Sequence, residues 1–275
     1  MTSTFTSSVP NTQHSPDPAQ TWDKIWSREV SSQKDDAQLD RERRSPRWRM
    51  VIERIERELG RMDGLRSIEL GSGRGDLSVL LAQRGVDATL FDNNQKALDS
   101  ASARFARHRL SATFQQGDLL ALPDSCQGAY DLALSVGVIE HFKGETRTEA
   151  LRAHWNALRP GGLAIVTVPN AHCPPYRMWK WYLEARGAWP YGMEIPYTRE
   201  ELLTRGRVAG FVDMDVRAVG LWQSVGDHLW PMLLGRRRDW VDRPSRFDDR
   251  FGSVLIFFGR KPKSEESGHF PEIGT

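Results

Sequence analysis

The stretch that decides the fold is SIELGSGRGD, residues 67–76. It begins as a short, mostly apolar run that is typical of a buried strand, although Glu69 interrupts it. The chain then turns through Gly71, Gly73 and Gly75, and a helical stretch follows at once. Glycine tolerates positive φ and lets the backbone approach a ligand, and a helix N-terminus carries partial positive charge. The stretch therefore predicts a ligand-binding turn between a strand and a helix.

Outward from this turn, short apolar runs alternate with helical stretches. We predict strands at Ser67–Leu70, Ala88–Phe91, Thr113–Gln116, Asp131–Ser135 and Leu163–Val168, and helices at Asp76–Gln83, Gln95–His108 and Glu145–Leu158. This alternation implies crossover connections, and hence an α/β fold whose mostly parallel sheet has helices on both faces. Two later strands, Phe211–Val219 and Ser253–Phe258, are consistent with an antiparallel pair at one edge.

The acidic residues around the turn indicate the kind of ligand. A dinucleotide-binding turn has the pattern G-x-G-x-x-G, but here the third glycine comes one residue early and Asp76 takes its place. Asp76 would sit badly beside a pyrophosphate, whereas Glu69 favours a cationic group such as an ammonium. Asp92 ends the second strand about 20 residues later, where a carboxylate can accept from ribose hydroxyls. A ligand with a ribose and an amino-acid-like cation but no phosphate matches S-adenosylmethionine.

With these residues in view, the chain resembles the class I S-adenosylmethionine-dependent methyltransferases, most nearly the small-molecule branch that includes quinone-biosynthesis enzymes. The likeness runs from Ser67 to Pro169, and more weakly over the helix before and the two strands after. The matching motifs are residues 69–75, 92–93, 116–119, 130–135, 138–142 and 158–163. The resemblance implies a Rossmann-like seven-stranded sheet of order 3-2-1-4-5-7-6, with N-terminal helices and an aromatic-rich insert after the fifth strand.

The resemblance also implies the cofactor S-adenosyl-L-methionine and a set of residues that bind it. These are Glu69, Gly71, Ser72, Gly73, Gly75, Asp92, Asn93, Asp118, Leu119, Ser135 and Val136. Asp92 would bind the ribose, and Asp118 would accept from the adenine amino group. Two structural alternatives stay open, because Asp92 can cap the following helix and Asp118 can cap a turn.

His141 is the candidate catalytic base. In the resembled family a histidine in this turn faces the methionine end of the cofactor or the acceptor, where an imidazole can take a proton from a hydroxyl or amine. The alternative, equally open, is a neutral ring that packs beside the cofactor. His172 is a weaker candidate for the same role. Glu140 beside His141 raises the question of a divalent metal, but no third ligand is evident and we predict none.

Aromatic residues crowd into the segment after the fifth strand. The core from Arg66 to Val168 holds one tryptophan, Trp155, whereas six follow it. A lid or acceptor pocket at the ends of the strands would explain this crowding, although an ordinary packed excursion would also do so. The predicted pocket residues are Tyr176, Trp179, Tyr191, Glu194 and Tyr197. A second segment, residues 221–240, is apolar and then basic, which suits a lid, a membrane-surface helix, a dimer contact or a solvated turn.

The domain organisation follows from composition. Residues 1–20 and 262–275 hold few large apolar groups and are predicted to be disordered tails. Between them, 21–261 would form one methyltransferase domain with a core at 66–169 and inserts at 170–197 and 221–250. Its N-terminal part looks helical, because Ser45 and Pro46 suit a helix start. One face of that helix would pack on the sheet without a direct chemical role; it carries Trp48, Val51, Ile52, Ile55 and Leu59.

Composition also limits the class of protein. The formal net charge is +2 and the two cysteines lie far apart without Cys/His ligand spacing. A disulfide framework, a structural zinc site and a membrane-spanning helix are therefore not predicted. We expect a cytoplasmic protein, monomeric or homodimeric, that neither spans a membrane nor binds nucleic acid.

These observations predict an enzyme that moves a methyl group by in-line displacement to O or N, less so to S or C, of a small aromatic or apolar acceptor. An RNA or protein methyltransferase and a non-catalytic S-adenosylmethionine-binding protein are the alternatives. The low net charge and the residues 135–138, where amino-base enzymes have an Asn-Pro-Pro-Tyr type motif, disfavour nucleic acid. Asp76 disfavours a nicotinamide oxidoreductase.

Overall fold

The structure, a computed structural model, describes residues 18–27 and 32–263. Residues 1–17 and 264–275 of the predicted tails lie outside the described residues, but Pro18, inside the tail predicted at 1–20, begins a helix. The strands are β1 Arg66–Leu70, β2 Asp87–Asp92, β3 Thr113–Gln116, β4 Tyr130–Val136, β5 Leu158–Pro169, β6 Val212–Val219 and β7 Val254–Arg260. The α-helices are α1 Pro18–Trp26, α2 Ser32–Arg44, α3 Pro46–Leu59, α4 Asp76–Ala82, α5 Gln95–Arg107, α6 Thr146–Ala157, α7 Pro174–Ala185, α8 Arg199–Ala209, α9 Leu221–Ser224, α10 Trp230–Leu234 and α11 Asp248–Phe251.

The seven strands form one sheet in the order β3-β2-β1-β4-β5-β7-β6, as predicted. Strands β1 to β5 are parallel, and β7 pairs antiparallel with both β5 and β6. The chain order reverses between β1 and β4, and in such sheets ligands bind in the crevice outside the carboxyl ends of the strands at that point.

Most predicted boundaries lie within one or two residues of the observed ones, and the largest difference is at the start of β5. The predicted helix to Leu158 ends at Ala157, and Leu158 instead pairs with Tyr130 at the start of β5. A register shift between Tyr130 and Leu132 admits this pairing. Gly161, expected only in a turn, lies inside β5 with φ +78°, and its N–H donates to the carbonyl of Lys261 at 2.9 Å. Backbone hydrogen bonding to the far end of β7 thus extends the strand beyond its apolar core.

Both faces of the sheet are covered by apolar side chains. Helix α3 packs on one face with Trp48, Val51, Ile52 and Ile55 buried, whereas Leu59 at its end is only partly buried. The predicted helix start at Ser45 is confirmed, and a second hydroxyl cap stands at the start of α8. The Ser45 hydroxyl accepts from the Trp48 N–H at 3.0 Å, and the Thr198 hydroxyl accepts from Glu201 at 3.1 Å.

Replacing Ser45 by alanine should lower the free energy of unfolding by about 1 kcal/mol, because an N–H at the start of α3 loses its acceptor. Urea denaturation of both proteins measures this loss. Ser111→Ala, at an exposed loop position, is the control. If both variants lose the same stability, the cap contributes nothing.

Candidate active site

A cavity of about 810 Å³ opens at the carboxyl ends of β1, β2 and β4. Ten of the predicted cofactor residues line it, and Ser135 does not. The ten are Glu69, Gly71, Ser72, Gly73, Gly75, Asp92, Asn93, Asp118, Leu119 and Val136. His141, Tyr191 and Glu194 line the same cavity. The fold thus gathers the sequence motifs at the predicted edge of the sheet.

The glycine turn needs its glycines. Gly71, Gly73 and Gly75 have φ of +65°, +52° and +67°, a region that other residues rarely adopt. A Cβ at Gly75 would also come within 2.4 Å of a Leu90 methyl group, and one at Gly73 within 2.7 Å of the Trp26 ring. Side chains at these positions would strain the turn and collide with the cavity wall.

Glu69 ends up buried below the turn, with 2% of its surface exposed. Its carboxylate accepts from the backbone N–H of Ser78 at 3.2 Å and from the Ser78 hydroxyl, near the start of α4. Burial raises the pKa of Glu69 to about 7. A cation bound in the cavity would favour the ionised form, so Glu69 suits a ligand that carries an ammonium.

Asp92 lines the cavity at the end of β2 and is 7% exposed. Its Oδ2 accepts from the Gly73 N–H and its Oδ1 from the Asn94 N–H, both at 2.9 Å. Burial nevertheless raises the pKa of Asp92. The side chain that caps α5 is Asn94, which accepts from Lys96 and Ala97. Asp92 instead anchors the glycine turn and has accepting capacity left for hydroxyl groups.

The loop after β3 supplies the other end of the cavity. Asp118 accepts from the Leu120 N–H at 2.9 Å and so begins a 3₁₀ turn at Leu119–Ala121. The same residue lines the cavity. The two roles considered for Asp118, a turn cap and a cavity residue, therefore coexist. Asn93 is exposed, and its carbonyl accepts from the Gln116 amide at 3.0 Å.

Ser135 corrects one prediction, because it lies in the core instead of the cavity wall. Its hydroxyl lies 2.9 Å from Nε2 of His154, whose Nδ1 lies 2.8 Å from the carbonyl of Ala150. Burial lowers the pKa of His154 to about 4. The ring is therefore neutral: it donates from Nδ1 and accepts the Ser135 hydroxyl at Nε2, which joins β4 to α6.

His141 lines the cavity at the turn that follows β4. Its Nδ1 donates to the carbonyl of Met193 at 2.7 Å, so Nε2 of the neutral ring keeps its lone pair. Burial lowers the pKa of His141, and its ring meets Trp22 edge-on with centroids 5.0 Å apart. A fixed, neutral imidazole with a free acceptor nitrogen suits a general base. His172 is exposed and does not line the cavity, which corrects the weaker prediction.

The predicted pocket residues divide into two layers. Tyr191 and Glu194 line the cavity, whereas Tyr176, Trp179 and Tyr197 do not. The Tyr176 hydroxyl donates to Glu194, and Trp179 stacks on His228 with centroids 4.6 Å apart.

Tyr197 belongs to the core. It is fully buried, and its hydroxyl donates to the carbonyl of Ile139 at 3.3 Å. The guanidinium of Arg147 lies over its ring. Of the predicted aromatic pocket residues, Tyr191 thus lines the cavity, whereas Tyr176, Trp179 and Tyr197 pack behind its wall.

One part of the cavity wall was not predicted from the sequence. Trp22, Ile25 and Trp26 of α1 line the cavity and cover the glycine turn. Asp23 ties this helix to α5, because it pairs with Lys96 at 2.6 Å. The spacing i, i+3, i+4 was a signal for an apolar helix face, but it did not reveal what that face covers.

Asp76 and Arg104 explain why the turn can carry a carboxylate at its end. Arg104 is 1% exposed and forms ion pairs with Asp76 and with Asp35 of α2. Its Nη1 also donates to the carbonyl of Arg74 at 3.3 Å. The negative charge of Asp76 is therefore neutralised from the protein side.

The second insert is tied to the N-terminal helices. Arg41 of α2 pairs with Asp227 at 2.6 Å, and Arg44 pairs with Asp239 at 2.6 Å. Leu233 and Leu234 nearby are 67% and 55% exposed.

Across residues 18–27 and 32–263, no helix has both the length and the apolar character to cross a bilayer. Nor do these residues place three His, Cys, Asp or Glu side chains where they could hold a metal.

Comparison with known proteins agrees with this geometry. The family description that matches the chain is "Methyltransferase domain", over residues 68–162. A ubiquinone biosynthesis O-methyltransferase of Caulobacter sp. (strain K31) is 32% identical over 108 residues, which is 39% of this chain and 42% of that protein. A trans-aconitate 2-methyltransferase of Deinococcus radiodurans is 33% identical over 109 residues, 38% of each chain. The chain thus matches about two fifths of the length of these relatives.

Solved structures share the fold at low identity. The magnesium protoporphyrin IX methyltransferase of Synechocystis PCC 6803 is 17% identical, with a TM-score of 0.55 over 88% of this chain and 93% of that one. The cyclase SpnF is 20% identical, with a TM-score of 0.56 over 79% and 81%. The sheet order, the glycine turn with its two acids and the methyltransferase domain matched over residues 68–162 support the resemblance to the class I S-adenosylmethionine-dependent methyltransferases.

Proposed function

We propose that this protein transfers a methyl group from S-adenosylmethionine to an oxygen or nitrogen atom of a small-molecule acceptor. The observation that carries the proposal is one cavity lined by the glycine turn, by two buried carboxylates, Glu69 and Asp92, and by His141. The carboxylates suit the cofactor's ammonium and ribose. The histidine suits an acceptor that must lose a proton. The relatives named for ubiquinone biosynthesis and for trans-aconitate support a small-molecule acceptor.

The cofactor supplies a methyl group already activated by a sulfonium leaving group. The protein's own contribution is therefore alignment and exclusion of water. Asp92 holds the Gly73 backbone and leaves oxygen lone pairs for the ribose hydroxyls. Trp22, Ile25 and Trp26 cover the same cavity with apolar surface. A covered, apolar site keeps water away from the reacting atoms.

His141 takes the proton that a hydroxyl or ammonium acceptor must lose. Its Nδ1–H is held by the Met193 carbonyl, so the proton is received at Nε2. The lowered pKa of His141 keeps the ring neutral and ready to accept at neutral pH. A neutral amine acceptor would lose its proton only after methylation, and Nε2 of His141 would receive that proton.

The direct test of this function uses S-adenosylmethionine labelled in its methyl group, with an extract of cells that naturally contain the protein. We expect label in the small-molecule fraction, and mass spectrometry of that fraction would name the acceptor. Label confined to RNA or protein would overturn the substrate class. No label, despite measured cofactor binding, would indicate a binding protein without turnover.

Replacing Asp92 by alanine should weaken S-adenosylmethionine binding about tenfold, because a buried, charge-assisted hydrogen-bond acceptor is lost. Isothermal calorimetry measures the affinity. Asp99→Ala on α5, outside the cavity, is the matched control. Equal affinities for the Asp92→Ala variant and the wild type would remove Asp92 from the cofactor site.

A further inference from the structure

Two carboxyl groups in the cavity wall, Glu140 and Glu194, have no role in cofactor binding as described above. Glu140 lies in the 3₁₀ turn after β4, next to His141, and Glu194 lies between α7 and α8. The N–H of Ile195 donates to the carbonyl of Glu140 at 2.9 Å, which joins the two segments. Both acids line the cavity together with His141 and Tyr191. They therefore belong to the end of the cavity where the acceptor must bind.

Glu140 has fewer partners than a buried acid normally has, because its carboxyl group accepts from its own backbone N–H but one oxygen is left over. Only 2% of its surface is exposed, and its Oε2 has no hydrogen-bond partner among the residues that the structure describes. Its Oε1 faces the cavity-lining Gly137, where a Cβ would come within 3.4 Å. Burial, together with the charge of Glu194, raises the pKa of Glu140 well above its usual value. A buried carboxyl oxygen without a hydrogen-bond partner is costly to keep unless a ligand supplies one.

Nearby cations are occupied elsewhere. Arg147 pairs with Glu201 at 3.0 Å and donates to the carbonyl of Ile195 at 3.0 Å. Lys180 pairs with Glu184 at 2.6 Å and lies over the Trp189 ring. Neither cation forms an ion pair with Glu140 or Glu194 within the described ranges.

Glu194 is only partly satisfied. It accepts from the Tyr176 hydroxyl, which is a neutral donor. Burial raises the pKa of Glu194 despite the nearby charge of Lys180. The two acids share one wall, and their hydrogen-bond donors within the described residues, the Tyr176 hydroxyl and the Glu140 backbone N–H, are neutral. A bound cation would therefore favour the ionised form of both.

We propose that the acceptor carries an ammonium group, which binds to Glu140 and Glu194, and that a hydroxyl oxygen elsewhere on the same molecule takes the methyl group from the sulfonium and gives its proton to His141. This inference rests on the proposed methyl transfer and adds the chemical class of its substrate. The walls beside the two acids are aromatic, with Trp22, Tyr191 and Phe142 in the cavity lining. A small aromatic amine would therefore satisfy both the charge and the apolar surface. The acids fix the acceptor's cationic end and thereby choose among molecules of similar shape.

The test compares three probes of one shape and different charge: tyramine, 4-ethylphenol and 3-(4-hydroxyphenyl)propionate. Each is titrated into the full chain that has been saturated with S-adenosylhomocysteine, and tryptophan fluorescence and calorimetry report binding. We expect tyramine to bind at least tenfold more tightly than 4-ethylphenol, and the propionate to bind weakest of all. Equal affinities, or no detectable tyramine binding, would overturn the proposal.

Glu140→Gln and Glu194→Gln should each reduce the preference for tyramine over 4-ethylphenol at least fivefold. Glu145→Gln, at an exposed position outside the cavity, should keep the full preference. The probe series on the wild type decides the proposal even if one variant fails to fold. A one-to-one isotherm with manganese chloride alone that Glu140→Gln abolishes would assign the acids to a metal and overturn the proposal.

The same samples separate this inference from the function it rests on. S-adenosylhomocysteine binding is measured before each probe is added. If S-adenosylhomocysteine does not bind, the proposed methyl transfer is wrong. If it binds but tyramine is not preferred, only the proposed amine acceptor is wrong.

Discussion

Replacing His141 by alanine should lower turnover at least about a hundredfold and leave the affinity for S-adenosylmethionine within about twofold. The reason is the fixed ring. Its Nδ1 is committed to the Met193 carbonyl, and Nε2 is the nitrogen that we propose receives the acceptor's proton. Removal of the imidazole leaves the proposed cofactor residues Glu69 and Asp92 untouched. The loss should therefore fall on kcat.

The measurement is the rate of label transfer to the acceptor across a range of pH. Because burial lowers the pKa of His141 below its usual 6.5, the wild-type rate should have its acid limb below that pH and be flat above it. The variant should lack this limb. His172→Ala, at an exposed position outside the cavity, is the control and should retain full activity. Full turnover by His141→Ala would leave His141 as a packing residue only.

Replacing Glu69 by glutamine should stabilise the ligand-free protein above pH 7 and weaken cofactor binding. In the folded chain the pKa of Glu69 is about 7, against its usual 4.5. The unfolded chain therefore releases this proton first. The stability that the protonated Glu69 contributes to the folded state is present in full below pH 4.5 and is lost as pH rises through about 7. A shift of this size corresponds to about 3 kcal/mol as an upper bound.

Urea denaturation at pH 4.5 and pH 8, without ligand, tests the sign. The wild type should lose more stability than Glu69→Gln between these two pH values, and Glu53→Gln, at an exposed position of α3, should follow the wild type. Calorimetry on the same proteins should show weaker S-adenosylmethionine binding by Glu69→Gln alone. If the free energies of unfolding of the wild type and of Glu69→Gln changed equally with pH, Glu69 would not be a buried carboxyl group with a raised pKa.

The part of the site that could be predicted from the sequence depends on local geometry. Glu69 and Asp92 end adjacent parallel strands, and parallel strands bring their carboxyl ends to one edge. The glycine pattern required positive φ, and all three glycines have it. Strand order and cofactor loop follow from such short-range signals.

The errors come from tertiary packing that a single strand or helix does not encode. β4 is buried on both faces, so its pattern could not tell that Ser135 faces His154 while Val136 lines the cavity. Aromatic composition likewise could not separate Tyr191 in the wall from Tyr197 in the core.

The covering helix was missed for a similar reason. Trp26 contacts the turn at Gly73 across a long sequence separation, and the apolar face of α1 has the same pattern whether it meets a sheet or a cavity. Only the folded arrangement identifies its target.

The most direct test of the account is an isothermal titration of S-adenosylmethionine into the ligand-free protein, with NADH titrated into a parallel sample. The account predicts one S-adenosylmethionine bound per chain and no binding of NADH. Binding of NADH, or no binding of S-adenosylmethionine, would contradict the cofactor site at the ends of β1, β2 and β4.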